Sequence, residues 1–181
     1  FRGDLIKTLI ARGGVVYGLS EPADDSVVKS LEALGARHWA YTVERRGQNP
    51  FKDVVTLLSL CQALRSIKPD VILSYTIKPV IYGGIASRLF PGARFSAMIE
   101  GLGYVFQDGG FGRRMIRWGV QKLYRFALRN SSAVFFLNED NRRAFVDARI
   151  VQESQIVELP GIGVDLNKYS YAVLPPLPIR F

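Results

Sequence analysis

The fold of this 181-residue chain is decided by the stretch Lys68-Pro69-Asp70-Val71-Ile72-Leu73-Ser74-Tyr75-Thr76. Pro69-Asp70 ends a helical pattern, and Val71-Ile72-Leu73 is an apolar run without polar alternation. Runs of this kind are typical of strands that are buried on both faces of a parallel sheet. Polar residues follow at once, where such a strand would end. The stretch therefore predicts a helix end, a buried strand and a polar loop at the carboxyl edge of the sheet.

The same alternation of strand and helix continues in both directions from this stretch. The predicted helices cover about 5–12, 26–34, 52–67, 80–89, 111–129 and 139–147, and the predicted strands cover 15–19, 37–42, 71–73, 95–99, 133–137 and 156–159. Repeated strand–helix–strand units imply a mostly parallel sheet with helices on both faces. The sequence therefore predicts an α/β three-layer sandwich.

The alternation of strands and helices is interrupted at both ends of the chain. The chain opens on a helix, whereas a domain of this type opens on a central strand that feeds its first helix. At the other end, Leu174-Pro175-Pro176-Leu177-Pro178 is typical of a stiff linker. We therefore expect residues 1–172 to form one domain without its first strand, and residues 173–181 to be a linker to a second domain. A short natural domain with a frayed tail is the alternative.

Ligands of open parallel sheets bind beyond the carboxyl ends of the strands, so the polar residues there are the candidates for a site. Tyr75 and Thr76 offer donors and acceptors for sugar hydroxyls. Lys78 is a cation beside a helix start, where free N–H groups also favour anions. The alternative is that Thr76 caps the helix and Lys78 is solvated.

Glu100, Gly101 and Gly103 follow the strand at 95–99. A carboxylate at a strand end suits an acid/base role, and a simple hydrogen-bonding role fits equally well. The glycines allow the backbone to approach a ligand closely. The loop lacks the third glycine of a dinucleotide fingerprint, and the chain has no phosphate-binding G-x-x-x-x-G-K-[ST] loop. With one His, one Cys and no clustered carboxylates, we expect no metal site and no Ser/His or Cys/His pair.

The net charge of +8 suits an anionic partner, and the helix at about 111–129 concentrates that charge. Its cations are Arg113, Arg114, Arg117, Lys122, Arg125 and Arg129, and it has no acidic residue. The face expected to pack on the sheet consists of Ile116, Val120, Leu123 and Ala127.

Trp118 lies at the edge of that face, and a basic helix with aromatic edges suits an anionic membrane surface. The residues expected to contact the membrane are Arg113, Arg114, Arg117, Trp118, Lys122 and Arg125. An ordinary amphipathic helix with a solvated outer face is the alternative.

Taken together, these segments resemble family 4 glycosyltransferases, particularly those that build bacterial surface polysaccharides. The segments that carry the resemblance are Phe1-Arg2-Gly3-Asp4-Leu5-Ile6, the stretch from Lys68 to Pro79, Tyr82-Gly83, Ala86-Ser87-Arg88-Leu89, Glu100-Gly101-Leu102-Gly103, Asn138-Glu139-Asp140 and Pro160-Gly161-Ile162-Gly163-Val164-Asp165. The match extends over nearly the whole chain, and it is the order and spacing of the motifs that make it specific.

The resemblance implies two Rossmann-like domains that face a cleft, of which this chain is the N-terminal one. The N-terminal domain would bind a saccharide acceptor, here a lipid-linked one, and an absent C-terminal domain would bind the nucleotide-sugar donor, a UDP-sugar. Transfer would proceed with retention and without a required metal, by a bacterial enzyme that is cytoplasmic and peripheral on the inner face of the cytoplasmic membrane.

The resemblance also implies roles for single residues. Tyr75, Thr76, Lys78 and Glu100 would line the acceptor side, and Arg2 would lie near the donor diphosphate. Many relatives carry a histidine where this chain has Glu100. The paired glutamates of the donor domain, eight positions apart, are absent, so we expect the chain alone to be inactive.

Two other functions remain open at the level of the sequence. A sugar-nucleotide 2-epimerase shares the two-domain architecture, but it acts on a soluble substrate and needs no membrane helix. A basic nucleic-acid-binding α/β domain would use the same cationic helix, and it would need aromatic stacking platforms beside the arginines. Trp118 offers little of this, so we expect no nucleic acid as a partner.

Overall fold

The computed structural model describes residues 2–43, 49–102, 110–163, 165–167 and 171–172. The helices are α1 (Gly3–Ala11), α2 (Asp25–Ala33), α3 (Pro50–Ile67), α4 (Ile77–Ser87), α5 (Phe111–Leu128) and α6 (Glu139–Asp147). The strands are β1 (Tyr17–Ser20), β2 (Arg37–Ala40), β3 (Val71–Tyr75), β4 (Arg94–Ile99), β5 (Ala133–Phe136) and β6 (Ile156–Glu158). The predicted alternation is confirmed over these ranges.

Every strand pair among the described residues is parallel, as predicted, but the strands form two sheets. The first sheet consists of β1 and β2, and the second has the order β3-β4-β5-β6. The prediction that β3 is buried on both faces is only partly right. Val71 is 55% exposed, whereas β4 carries the buried residues expected of a central strand. The reason is that β3 lies at the edge of its sheet.

The main core lies between the second sheet and the helices α4, α5 and α6. Tyr124 of α5 meets the ring of Phe145 of α6 edge-on, at 5.1 Å between ring centroids, and Phe136 of β5 packs on Phe145 at 5.5 Å. α4 packs against both α3 and α5. Its approach to α5 is close because Gly84 has no Cβ, and a Cβ there would lie 2.7 Å from the carbonyl oxygen of Ala127.

Local signals explain where the helices begin and end. The Asn49 side chain accepts a hydrogen bond from the backbone N–H of Phe51, and Pro50 occupies the first position of α3. The Asn138 side chain caps α6 by accepting from the N–H of Asn141, at 2.9 Å. α4 begins three residues earlier than predicted, because Pro79 lies in its first turn, where no donor is needed.

The packing face of α5 differs from the prediction. Its buried residues are Tyr124, Ala127 and Leu128. Ile116 and Leu123, which we expected to pack on the sheet, are 44% and 42% exposed. The expectation is confirmed for Ala127, which is buried, and for Val120, which packs against the main core, and it was wrong for Ile116 and Leu123. Apolar residues occur all round this helix, and the large side chains of Tyr124 and Leu128 fill the space above the sheet. No helix in the described ranges is both long and apolar enough to cross a bilayer.

Candidate functional site

Three of the residues selected from the sequence meet at the carboxyl edge of the second sheet. The guanidinium of Arg2, just before α1, forms an ion pair with the carboxylate of Glu100. The same guanidinium lies over the ring of Tyr75, 4.4 Å from its centroid, and 3.4 Å from the sulfur of Met98. Tyr75 ends β3 and Glu100 follows β4, so the first helix and two strand ends form one corner. We call these four residues the Arg2 corner.

The Arg2 corner is partly shielded from water. The side chains of Arg2 and Glu100 are 20% and 30% exposed. Burial raises the pKa of the Tyr75 hydroxyl above its ordinary value, Arg2 opposes that rise, and Glu100 adds to it. The hydroxyl therefore stays protonated at neutral pH and can donate a hydrogen bond. The corner offers a cation, a carboxylate and a hydroxyl donor within one small region.

A cavity of about 220 Å³ opens beside the Arg2 corner. Its lining residues are Thr76, Ile77, Met98, Ile99, Glu100, Gly101 and Tyr124. The walls are mostly apolar, with the Glu100 carboxylate as the charged group among them. Ligand sites are commonly apolar clefts with a few placed polar groups, and this cavity has such a lining although it is smaller than a typical ligand pocket.

Thr76 has a strained backbone at this cavity. Its φ of 63° and ψ of 162° lie in a region that glycine occupies and that a β-branched residue rarely adopts. Such a conformation costs about 1–3 kcal/mol and is concentrated at functional sites. Thr76 occupies the N-cap position of α4, and its carbonyl oxygen accepts from the N–H of Val80, but its side chain forms no capping hydrogen bond. The alternative in which the threonine side chain caps the helix is therefore wrong. The hydroxyl-bearing residue lies instead at the wall of the cavity.

Lys78 pairs with a residue outside the Arg2 corner, but it lines a groove of about 500 Å³ together with Tyr75 and Thr76, as the sequence grouping suggested. Its ammonium donates to the Asp53 carboxylate at 2.7 Å, and the Lys78 side chain is 16% exposed. The Tyr82 hydroxyl also hydrogen-bonds Asp53; burial, this bond and the negative charge of Asp53 raise the pKa of Tyr82. Lys78 therefore links α4 to α3. Sequence reasoning missed Asp53, because a lone carboxylate in an amphipathic helix gives no signal of its partner.

The outer face of α5 is apolar. We use this name for six exposed residues: Phe111, Met115, Ile116, Trp118, Leu123 and Phe126. Phe111 is 79% exposed and Trp118 is 59% exposed, with the ammonium of Lys122 above the Trp118 ring at 5.4 Å. Arg114 is also exposed. Large aromatic side chains on the solvent side of a helix indicate an interaction surface.

The other cations of α5 lie elsewhere on the helix. Arg113 and Arg117 are half-buried. Arg125 donates to the carbonyl oxygens of Arg149 and Ala148, at 2.8 and 2.6 Å, and so satisfies the end of α6. Gly103 lies outside the described residues. Within the described part of the chain, no cluster of three or more His, Cys, Asp or Glu side chains could hold a metal.

Residues 3–161 match the profile of the glycosyl transferase 4-like domain. The chain belongs to this glycosyltransferase family. Over 169 residues it is 27% identical to the N,N'-diacetylbacillosaminyl-diphospho-undecaprenol alpha-1,3-N-acetylgalactosaminyltransferase of Campylobacter jejuni. That match includes 93% of this chain and 44% of the Campylobacter enzyme, so the chain spans less than half of its relative.

Three solved structures share the fold of this family member. Acinetobacter baumannii MurG has a TM-score of 0.53 and 16% identity, and the match covers 92% of this chain and 42% of MurG. A candidate UDP-N-acetylglucosamine 2-epimerase of Listeria monocytogenes has a TM-score of 0.55 and 11% identity, with 86% of this chain and 40% of that protein covered. The calicheamicin glycosyltransferase CalG4 has a TM-score of 0.51 and 14% identity, with 87% of this chain and 48% of CalG4 covered. At these identities the likeness concerns the fold alone. The predicted Rossmann-like α/β fold and the resemblance to family 4 glycosyltransferases are confirmed.

Proposed function

We propose that this chain is the acceptor-side half of a glycosyltransferase that moves a sugar from a nucleotide-sugar to a lipid-linked saccharide in surface polysaccharide biosynthesis. Family membership supports the reaction class, and the name of the Campylobacter relative supports a diphospho-undecaprenol acceptor. The observation that carries the proposal is the convergence of Arg2, Tyr75 and Glu100, distant in sequence, at one corner of the sheet.

Each member of the Arg2 corner has a role in this proposal. The Glu100 carboxylate accepts a hydrogen bond from the acceptor hydroxyl and takes its proton as the hydroxyl oxygen bonds to the anomeric carbon. The bond between that carbon and the diphosphate oxygen breaks at the same time. The nucleoside diphosphate leaves with the negative charge, and Arg2 stabilises that charge. Tyr75 and Thr76 bind hydroxyls of the acceptor sugar, and Gly101 lets it approach the backbone. The donor is a UDP-sugar, transfer retains the configuration of the donor, and the chemistry needs no metal.

The donor half belongs to a further domain in this proposal. The Campylobacter relative is more than twice as long as the part that this chain matches. Residues 173–181, which lie outside the described residues, are the linker to that domain. Without that domain the nucleotide-sugar donor has no complete binding site, so the chain alone transfers no sugar.

The outer face of α5 is the membrane contact in this proposal. An exposed aromatic and aliphatic face with Arg114 and Lys122 beside it matches the composition of interfacial helices. Binding there would hold the enzyme as a peripheral protein on the inner face of the cytoplasmic membrane, next to its lipid-linked acceptor. The six exposed apolar residues outnumber the exposed cations beside them, which disfavours a soluble epimerase and also a nucleic-acid-binding role, since phosphate backbones bind surfaces dominated by cations.

The acceptor part of the proposal can be tested on the chain alone by NMR. A farnesyl-diphosphate-linked N-acetylhexosamine is titrated in, and the backbone amides of Tyr75, Thr76 and Gly101 are followed. We expect saturable shifts at these amides and none at Gly92, a loop glycine with open space around it. Shifts produced equally by UDP-N-acetylglucosamine without lipid would favour the epimerase, and no shifts at all would contradict the acceptor site.

A further inference from the structure

The small cavity beside the Arg2 corner has a buried wall and an exposed wall. The buried wall includes Ile99 and Tyr124, which are 3% and 2% exposed and belong to the main core. The exposed wall includes Glu100, whose side chain is 30% exposed, and Gly101, which is exposed. A group that enters the cavity from solvent therefore passes the Glu100 carboxylate and ends against core side chains.

The volume of this cavity limits what it can hold. Pockets that take a whole ligand have volumes of roughly 300–1,000 Å³, whereas this cavity has about 220 Å³. Water has a share of about 30 Å³ per heavy atom in the liquid, so a substituent of about four heavy atoms needs roughly 120 Å³ and a hexose of about twelve needs roughly 360 Å³. The cavity therefore has room for one substituent of a sugar ring and not for the ring itself.

The lining of the cavity selects the chemistry of that substituent. Ile77, Met98 and Ile99 offer apolar surface, and a hydroxyl placed against them would lose its water without gaining a partner. An acetamido group suits the lining better, since its methyl contacts these apolar side chains while its N–H donates to the Glu100 carboxylate. Its carbonyl oxygen can accept from the hydroxyl of Thr76, which also lines the cavity.

The place of Glu100 in the lining decides which part of the acceptor enters. In the proposed function, Glu100 takes the proton of the hydroxyl that receives the donor sugar. A carboxylate has about four acceptor positions, so Glu100 can accept from Arg2, from that hydroxyl and from an N–H on the neighbouring ring carbon at the same time. The polyprenyl chain is separated from the sugar by the diphosphate, so the group beside Glu100 belongs to the sugar.

We propose that this cavity holds an acetamido group on the ring carbon next to the reacting hydroxyl, so that the site selects N-acetylated acceptor sugars. The inference rests on the proposed function for the place of the acceptor, and it adds which sugars that place accepts. An acceptor with a hydroxyl on the same carbon leaves the apolar lining without a contact, and it therefore binds more weakly.

The test compares farnesyl-diphosphate-linked N-acetylglucosamine with farnesyl-diphosphate-linked glucose, which carries a hydroxyl in place of the acetamido group. Both are titrated into this chain, and dissociation constants are taken from the NMR shifts of the Tyr75 and Thr76 amides. We expect the N-acetylated probe to bind at least about tenfold more tightly, because a buried methyl and a hydrogen bond to a charged group both favour it. With an isotope-labelled acetyl group, its methyl should show nuclear Overhauser effects to the side chains of Ile77 and Met98.

Two isoleucines of α4 provide a variant and its matched control. Ile77 and Ile85 are both half-buried against the main core, but only Ile77 is part of the cavity lining. Ile77→Ala should weaken binding of the N-acetylated probe at least about threefold and change the affinity for the glucose probe little, because only the acetyl methyl contacts this side chain. Ile85→Ala should leave both affinities unchanged.

The results separate this inference from the proposed function. Equal affinities for the two probes, with shifts at Tyr75 and Thr76 in both titrations, would overturn the inference and leave the acceptor site in place. Overhauser effects to Ile77 from the farnesyl methyls instead of the acetyl methyl would also overturn it, since the lipid would then occupy the cavity. The absence of shifts with either probe would contradict the acceptor site itself, and the inference with it.

Discussion

Replacing Trp118 with Ser tests whether the outer face of α5 enters a membrane. An aromatic side chain has about 200 Å² of surface, so the 59% exposure of Trp118 leaves roughly 120 Å² for lipid. At about 25 cal/mol/Å², complete transfer is worth about 3 kcal/mol, and the part-immersion of an interfacial helix about half of that. We therefore expect Trp118→Ser to weaken vesicle binding about tenfold, since about 1.4 kcal/mol is a factor of ten.

The assay is co-sedimentation with vesicles of phosphatidylcholine alone and with added phosphatidylglycerol, at low and high salt. Trp118→Ser should weaken binding to both compositions, because the lost contact is apolar. Arg114→Gln should weaken binding only to the anionic vesicles and only at low salt, by about 1 kcal/mol. The matched control is Phe51→Ser, which removes an aromatic side chain that is 82% exposed on α3. α4 lies between α3 and α5, so Phe51 is not part of the outer face of α5. Equal losses for Trp118→Ser and Phe51→Ser would refute a specific membrane role of α5.

Three further predictions concern the fold and the strained residue. In urea unfolding, Gly84→Ala should destabilise the fold by about 1–3 kcal/mol because the new Cβ meets the Ala127 backbone. Gly119→Ala should stabilise the fold by about 0.5–1 kcal/mol, since Gly119 lies within α5 and a Cβ there meets no other atom. The opposite order of stabilities would contradict the close contact between α4 and α5. Thr76→Gly should raise stability by about 1 kcal/mol, as relief of the strained φ outweighs the added freedom of the unfolded chain, and a loss of stability would count against strain there. Hydrogen bonds from Arg142 and Arg143 lower the pKa of the Glu139 carboxyl from its ordinary 4.5 to about 2. The contribution of these bonds to the stability of the fold should therefore be complete above pH 4.5 and be lost as the pH falls toward 2. A titration midpoint of Glu139 near 4.5 by NMR would contradict the pairing.

The elements of the fold could be predicted because the sequence marks them locally. Apolar runs such as Val71-Ile72-Leu73 indicate strands, and Asn49-Pro50 and Asn138 mark helix starts with residues that satisfy free backbone donors. The division into two sheets could not be predicted, since the lateral order of strands depends on contacts between distant segments. The position of β3 at the edge of its sheet becomes evident only once the structure shows that β3 pairs with β4 and that β1 belongs to the other sheet.

The site was predictable in part for the same reason. Tyr75 and Glu100 follow strands, and that position alone suggested that they lie near each other. The partner of Lys78 was not predictable, since Asp53 lies 25 residues earlier on another helix. The positive φ of Thr76 is set by the turn from β3 into α4, and a threonine gives no local sign of it. Which face of α5 points to solvent could not be predicted either, because it depends on which apolar residues of α5 pack against Phe145 and Gly84 on the neighbouring helices.

The most direct test of the central claim is glycosyl transfer by the full-length transferase with Glu100 replaced by Gln. Transfer is measured from a UDP-N-acetylhexosamine to a polyprenyl-diphosphate-linked saccharide, with Glu32→Gln, an exposed carboxylate on α2, as the control. If the Arg2 corner orients the acceptor hydroxyl, Glu100→Gln should lower kcat at least about a hundredfold with little change in the KM for the donor. A Glu100→Gln enzyme as active as the Glu32→Gln control would contradict the assignment of this corner as the site of transfer.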